Sequence, residues 1–164
     1  MNLEPKYHAL LQEAQQRGTP DVEGMHLRFQ TLSLAAGIDR ECAALLAPHA
    51  LSEGRFVLLF LLDASAYGLA PNTLAELAGV TRGTVTGLLD GLKRDELIER
   101  HADASDRRAM RVQLTPKGRR VAKTVFEEYG RQSARLYDNL SELERKQLST
   151  LLGKVAGNLG SAAL

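Results

Sequence analysis

Residues 72–114, NTLAELAGVTRGTVTGLLDGLKRDELIERHADASDRRAMRVQL, decide the fold. Their apolar spacing predicts a short helix, a turn at Gly79 and a second helix that begins after Thr81. Glycine suits the sharp turn because it adopts positive φ without strain, and the Thr81 hydroxyl can cap the second helix. Six apolar residues are expected to be buried where the helices cross: Leu74, Ala78, Val80, Val85, Leu88 and Leu92. The stretch therefore predicts a helix-turn-helix.

The outer face of the second helix is unusual. It carries short side chains and a single charge, in the residues Arg82, Gly83, Thr84, Thr86 and Gly87. Glycine in a helix interior costs about 1 kcal/mol relative to alanine, so these residues do not serve helix stability. A face of this kind suits close approach to another surface.

A β-ribbon is predicted after the second helix. Residues 97–101 form its first strand, and residues 110–114 return with the apolar–polar alternation of a half-buried strand. The turn between the strands carries three consecutive charges, Asp106, Arg107 and Arg108. A helix-turn-helix followed by a ribbon with a basic tip is a winged helix-turn-helix. Its second helix can enter a major groove while the tip reaches the adjacent minor groove.

Four short motifs lie between residues 51 and 118, within a resemblance to a known family that covers roughly residues 38–152. They are Leu51-Ser52-x-x-x-Phe56-x-Leu58, LAELAGVT at 74–81, DRR at 106–108 and Leu114-Thr115-x-x-Gly118. Together they resemble the motifs of MarR-type transcriptional regulators. The resemblance implies double-stranded DNA as partner, a two-fold homodimer of interlocked terminal helices, and a wing in which Asp106 orients Arg108. It also implies a small anionic or phenolic effector, bound between the dimerisation helices and the winged helix.

Composition and charge fit a globular regulator. The chain has 164 residues, 44% of them hydrophobic and 25% charged, with a net charge of +1. Residues 72–120 hold ten Lys and Arg against seven Asp and Glu, which leaves the remainder net acidic. No uninterrupted apolar segment reaches the length of a membrane span and no apolar signal region opens the chain, so we expect a cytoplasmic protein. One cysteine and four scattered histidines indicate no metal site or cofactor.

Three parts are predicted along one mainly α-helical chain. Residues 1–50 form N-terminal helices on the dimerisation and effector side, residues 51–115 form the winged helix-turn-helix lobe, and residues 116–164 form C-terminal dimerisation helices. A helix from Glu53 contains FVLLFLL and is expected to be buried on every side. The amphipathic helices at 116–139 and after the Ser141-x-x-Glu144 capping box need a second copy of the chain to cover them.

Candidate contacts divide by role. Arg82 can read guanine O6 and N7, whereas Lys93 and Lys117 are expected to contact phosphate. Arg108 is expected to enter a narrow minor groove of a pseudo-palindromic operator whose half-sites lie about 10 bp apart. The residues expected at an effector pocket are His26, Phe29, Arg55 and Phe56. Each of these four can equally be a core or surface residue without a ligand.

Other interpretations remain open. Cys42 could make the chain a thiol-based redox sensor, but its apolar neighbours favour a buried, structural thiol with a raised pKa. A urate-binding branch of the family has an extra N-terminal helix, as here, but relies on a tryptophan that this chain lacks. A winged-helix protein-interaction module without DNA binding is the alternative from another class. We find no nucleophile–base pair or paired carboxylates that would indicate an enzyme.

Overall fold

The computed structural model of the chain describes residues 3–102 and 110–160. The described elements are α1 (Pro5–Gln16), α2 (Val22–Leu46), a 3-10 turn (Ala47–His49), α3 (Glu53–Asp63), α4 (Pro71–Ala78), α5 (Arg82–Arg94), β1 (Ile98–Ala102), β2 (Met110–Leu114), α6 (Pro116–Leu136) and α7 (Glu142–Gly160). The predicted architecture, mainly α-helical with a two-stranded ribbon, is confirmed. The chain divides into two compact units, the first ending at Ala122 and the second beginning at Lys123.

The helix-turn-helix is formed by α4 and α5. Gly79 ends α4 with φ 64°, in the left-handed region that favours glycine. The Thr81 hydroxyl caps α5 by accepting a hydrogen bond of 3.1 Å from the backbone N–H of Thr84. Both predicted signals, the turn glycine and the capping threonine, are therefore confirmed.

The buried face of α5 differs in part from the prediction. Leu74, Val85 and Leu92 are fully buried as expected, but Leu89 takes the buried position assigned to Leu88. Val85, Leu89 and Leu92 are spaced by four and three residues, so they share one side of the helix. The prediction was also wrong for Val80, which is 39% exposed.

The long apolar run in α3 is not buried on every side. Four of its residues belong to the core, Phe56, Leu58, Leu59 and Leu62. Phe60 is 41% exposed, and Val57 and Leu61 are half-buried. The expectation of burial all round was wrong for this single chain, because one side of α3 remains accessible to solvent.

The ribbon has an additional backbone partner that the sequence did not indicate. β1 and β2 pair antiparallel, with Ile98 opposite Leu114 and Ala102 opposite Met110. Leu69, in the loop between α3 and α4, exchanges two backbone hydrogen bonds of 3.0 and 2.9 Å with Val112. A Cβ on the preceding residue, Gly68, would overlap the Val112 carbonyl oxygen, so only glycine permits this approach. The loop is thereby held against the ribbon.

The start of α6 is held against the turn between α5 and β1. The Thr115 hydroxyl accepts a hydrogen bond of 3.0 Å from the Gly118 N–H and donates one of 2.8 Å to the Glu96 carbonyl. A Cβ on Gly118 would overlap the carbonyl oxygen of Leu97. This geometry explains why threonine and glycine occur together in the Leu-Thr-x-x-Gly motif.

The N-terminal helices belong to the first unit. Asp21 caps α2 by accepting a hydrogen bond of 2.9 Å from the Gly24 N–H. The rings of Tyr7 in α1 and Phe29 in α2 stack with centroids 4.5 Å apart. The stacked rings hold α1 against the first part of α2.

The second unit contains the rest of α6 and all of α7. α6 ends at Leu136, three residues before the predicted end at Asn139. The predicted capping box is confirmed, since the Ser141 N–H donates to Glu144 Oε2 at 2.8 Å and the Glu144 N–H donates to the Ser141 hydroxyl at 3.4 Å. The Ser141 hydroxyl also donates to Glu144 Oε2 at 2.7 Å, and this bond, together with the one from the Ser141 N–H, lowers the pKa of the Glu144 carboxyl. Five apolar residues of α7 are 51–70% exposed: Leu143, Leu151, Leu152, Val155 and Leu159.

No single helix in the described part of the chain is long and apolar enough to cross a membrane. The segments 22–49 and 53–63 reach the necessary length and composition only as a pair, bent by 70° at their junction. The second segment of that pair is α3, which contributes four residues to the core.

Candidate nucleic-acid interface

The two sides of α5 differ sharply. Val85, Leu89 and Leu92 are at most 1% exposed. The residues predicted for the outer face are all exposed, Arg82, Gly83, Thr84, Thr86 and Gly87. The structure therefore brings together, on one open helix face, the residues that the sequence pattern predicted there.

The hydroxyl groups at the start of α5 are held by local hydrogen bonds. Thr81 and Thr84 share a hydrogen bond of 2.8 Å between their hydroxyls, and the Thr86 hydroxyl donates to the Arg82 carbonyl at 3.0 Å. Because its one hydrogen is used in this way, Thr86 can only accept from a partner or contact it through its methyl group. Both modes suit base edges, either an exocyclic amino group or a thymine methyl.

Gly83 and Gly87 are not required by the packing of the chain itself. A Cβ on Gly87 would meet no atom within 4 Å, and a Cβ on Gly83 would meet only the Thr81 hydroxyl at 3.8 Å. Gly91 differs, since a Cβ there would overlap the guanidinium of Arg55. The two outer glycines lower helix stability with no internal compensation. Their absent side chains open the α5 backbone to an external partner.

The two candidate phosphate contacts differ in their surroundings. Lys93 is exposed in the last turn of α5. The Lys117 Nζ donates to the Asp95 carbonyl at 2.8 Å and lies 3.7 Å from Glu96 Oε2. Lys117 therefore holds the turn after α5, and its predicted contact with phosphate would be an additional role.

The tip of the wing, with Asp106, Arg107 and Arg108, lies outside the described residues. The base of the wing is tied to α5 by Arg100 of β1, whose Nη2 donates to Asp90 Oδ1 at 2.6 Å. On the same strand, His101 Nε2 lies 3.1 Å from Glu99 Oε1. The Arg100–Asp90 pair had no signal in the sequence, because two opposite charges ten residues apart show no local pattern.

The four candidate effector residues have different surroundings. His26 is exposed and lines an open groove of about 630 Å³ whose other lining residues come from α1 and the start of α2: His8, Leu11, Gln12, Gln15, Val22 and Glu23. Phe29 is buried against Tyr7, and Phe56 is buried in α3. Arg55 donates to Asp95 Oδ2 at 3.1 Å. Phe29 and Arg55 thus have structural roles, and the effector pocket stays a prediction.

Cys42 is a half-buried free thiol on α2. Burial raises the pKa of the thiol, and the carboxylates of Glu53 and Asp39 raise it further. Since the thiolate is the reactive form, this environment favours the structural interpretation over redox sensing. Within residues 3–102 and 110–160, no group of three or more His, Cys, Asp or Glu could hold a metal ion.

A helix-turn-helix with an open second helix, joined to an antiparallel ribbon, defines a winged helix-turn-helix protein. The model of the MarR family matches residues 54–109. The HTH-type transcriptional repressor YetL of Bacillus subtilis is 29% identical over 150 residues, which are 91% of this chain and 90% of YetL. The HTH-type transcriptional regulator PecS of Dickeya dadantii is 30% identical over 142 residues, 85% of each chain.

A solved structure of a transcription regulator bound to DNA is also similar to this chain. The S. aureus MepR–DNA complex superimposes with a TM-score of 0.70 at 25% sequence identity, over 80% of this chain and 96% of MepR. The chain belongs to the MarR family, as the sequence motifs indicated. It is a transcriptional regulator and not an enzyme.

The reactivity of the Cys42 thiol tests whether Cys42 is structural or redox-sensing. At pH 8 we expect iodoacetamide to alkylate Cys42 more slowly in the folded protein than in the same chain unfolded in urea, because the raised pKa leaves less thiolate. Mass spectrometry of quenched samples measures both rates. Equal or faster alkylation of the folded protein would restore the redox interpretation.

Proposed function

We propose that the chain is a homodimeric, sequence-specific DNA-binding regulator that binds a pseudo-palindromic operator. The observation that carries the proposal is the open face of α5. Gly83 and Gly87 have no role in the packing of the described chain, and close approach of an external surface gives a reason for glycine at both positions. A DNA-bound structure of MepR, similar to this chain over most of its length, supports the choice of DNA as that surface.

The chemistry of the face suits a major groove. Arg82, in the first turn of α5, can donate two hydrogen bonds to guanine O6 and N7. The free N–H groups at the start of the helix and its dipole favour a nearby phosphate. Lys93 and Lys117 add phosphate contacts, and Arg108, oriented by Asp106, extends the contact into the minor groove. Residues 51–115 form the DNA-binding lobe in this proposal.

A second copy of the chain is supported by uncovered apolar side chains. In α7 these are the five exposed residues from Leu143 to Leu159. In α6 Phe126, Tyr129 and Leu136 are 38–48% exposed, and Tyr137, just after α6, is 37% exposed. Large apolar side chains left exposed along a helix are typical of a protein interface. A two-fold dimer through residues 116–164 would present two α5 helices to half-sites about 10 bp, or roughly 34 Å, apart.

Repression released by a small phenolic or anionic ligand completes the proposal. The relative YetL is named a transcriptional repressor, which supports repression as the proposed direction of regulation. A ligand releases the operator only if it binds the chain more tightly in the conformation that does not fit DNA. Because the proposed partner is the chromosome, the proposal also implies a cytoplasmic location.

Gly87→Ala separates function from stability. The new methyl group meets no atom of the chain, so helix propensity should raise the free energy of unfolding by up to about 1 kcal/mol. The same methyl group should weaken binding to the duplex that the wild-type chain selects from a random pool. Urea unfolding and fluorescence anisotropy measure the two quantities.

The matched control for this variant is Gly37→Ala in α2, where a Cβ would lie 3.9 Å from Arg40 Nη2 in ordinary contact. It should leave DNA affinity unchanged. If Gly87→Ala bound the selected duplex as tightly as the wild type, α5 would not be in close contact with DNA.

Arg82→Ala tests base reading against phosphate contact. It should cost about 1–3 kcal/mol on the selected duplex and relax the base preference at one position in each half-site. Lys93→Ala should instead weaken selected and scrambled duplexes alike and reduce the salt dependence by about one charge. An equal loss on both duplexes for Arg82→Ala would make Arg82 a phosphate contact. A wild-type chain without salt-dependent DNA binding would indicate a protein-interaction module.

A further inference from the structure

We propose that Arg55 is a positioning residue for α5. Its guanidinium ties the corner between α2 and α3 to the C-terminal end of α5, and so fixes the angle at which α5 meets DNA. This inference rests on the proposed DNA binding and adds a residue that does not itself touch the DNA.

Arg55 joins two distant points of the chain. Its Nη1 donates to Asp95 Oδ2 at 3.1 Å and to the Ala50 carbonyl at 3.4 Å, and the side chain is only 21% exposed. Asp95 is the residue that ends α5. Ala50 closes the corner after α2 with φ 54°, a left-handed conformation. One nitrogen therefore links the corner to the end of the helix.

The end of α5 is shaped to receive this guanidinium. Gly91 is buried, and a Cβ there would overlap Nη2, Cζ and Nε of Arg55. Gly91 thus differs from Gly83 and Gly87, since the Arg55 guanidinium occupies the space that a side chain at Gly91 would need. A cation in this place also faces the negative end of the helix dipole.

A second close contact runs along the same side of α5. A Cβ on Gly54 would lie 3.1 Å from Leu88 Cδ1, so the side chain of Leu88 packs directly over the first turn of α3. Leu88, Gly91 and Asp95 are three and four residues apart and share one side of the helix. The first turn of α3 therefore packs along the last two turns of α5.

The turn after α5 is also held by the start of α6. The Lys117 Nζ donates to the Asp95 carbonyl and the Thr115 hydroxyl donates to the Glu96 carbonyl, each at 2.8 Å. Residues 95–96 are thus fixed on one side by α3 and on the other by α6. A change at either place would move the end of α5.

The Arg55–Asp95 ion pair is better suited to positioning α5 than to stabilising the fold. A single, partly exposed ion pair adds little to the free energy of unfolding. The planar guanidinium, in contrast, fixes direction, because its Nη1 donates to Asp95 and to the Ala50 carbonyl at the same time. We therefore expect the loss of Arg55 to disturb base discrimination more than folding.

The test compares binding to two duplexes, one that the wild-type chain selects from a random pool and one scrambled at equal composition. Arg55→Ala should lower the preference for the selected duplex by about tenfold, the effect of roughly one mismatched base pair. The salt dependence should stay unchanged, because no phosphate contact is removed. Gly91→Ala, which keeps both charges but occupies the place of the guanidinium, should lose preference similarly.

Two further variants guard against misfolding. Asp95→Asn keeps the volume and removes the charge, so it should reproduce the loss if Arg55→Ala fails to fold. Arg55→Lys keeps a cation and should recover part of the preference. The control is Arg17→Ala, which removes an exposed arginine paired with Glu13 at 2.6 Å and should leave the preference unchanged. Circular dichroism confirms folding of each variant.

Three results would overturn the inference. Wild-type preference in Arg55→Ala, Gly91→Ala and Asp95→Asn would show that the link does not orient α5. An equal loss on both duplexes with a smaller salt dependence would make Arg55 a phosphate contact. A wild-type chain that enriches no duplex would overturn the proposed function itself, and the inference with it.

Discussion

The structure depends on the burial of one side of α5. Val85, Leu89 and Leu92 are inaccessible to solvent, and burying each is worth about 1.5–3 kcal/mol. That gain exceeds the loss of about 1 kcal/mol expected for each of Gly83, Gly87 and Gly91. Tertiary packing therefore holds a helix that its own propensity would not. The opposite side is left free to carry residues chosen for a partner.

Backbone contacts hold the elements around α5 in place. Leu69 pairs with Val112, and Gly118 lets α6 begin against the Leu97 carbonyl. Arg100 and Arg55 tie α5 to the ribbon and to α3 through Asp90 and Asp95. Each contact involves a glycine, a backbone group or an ion pair, and none requires a large core. The open face of α5 is consequently presented by a frame that holds the second half of the helix and the turn after it.

Local signals in the sequence predicted the fold well because their physical causes are local. Gly79, Thr81 and Ser141 each act within one helix turn, and each takes the predicted role. The buried position predicted for Leu88 but taken by Leu89 shows the limit of local signals. Where two leucines are adjacent, the elements that pack against the helix decide which of them is buried. The pairs Arg55–Asp95 and Leu69–Val112 join residues far apart in sequence and had no signal. Gly91 and Gly87 differ only in their neighbours in space. The space beside Gly91 is occupied by Arg55, whereas the space beside Gly87 is open.

Hydroxyl-radical footprinting on the duplex selected by the wild-type chain measures most directly whether two copies of α5 bind successive major grooves. Two protected segments on one side of the duplex, with centres about 10 bp apart, are expected together with two chains per duplex in sedimentation. A single protected segment, one chain per duplex, or protection no different from that on a scrambled duplex would contradict a two-fold DNA-reading dimer.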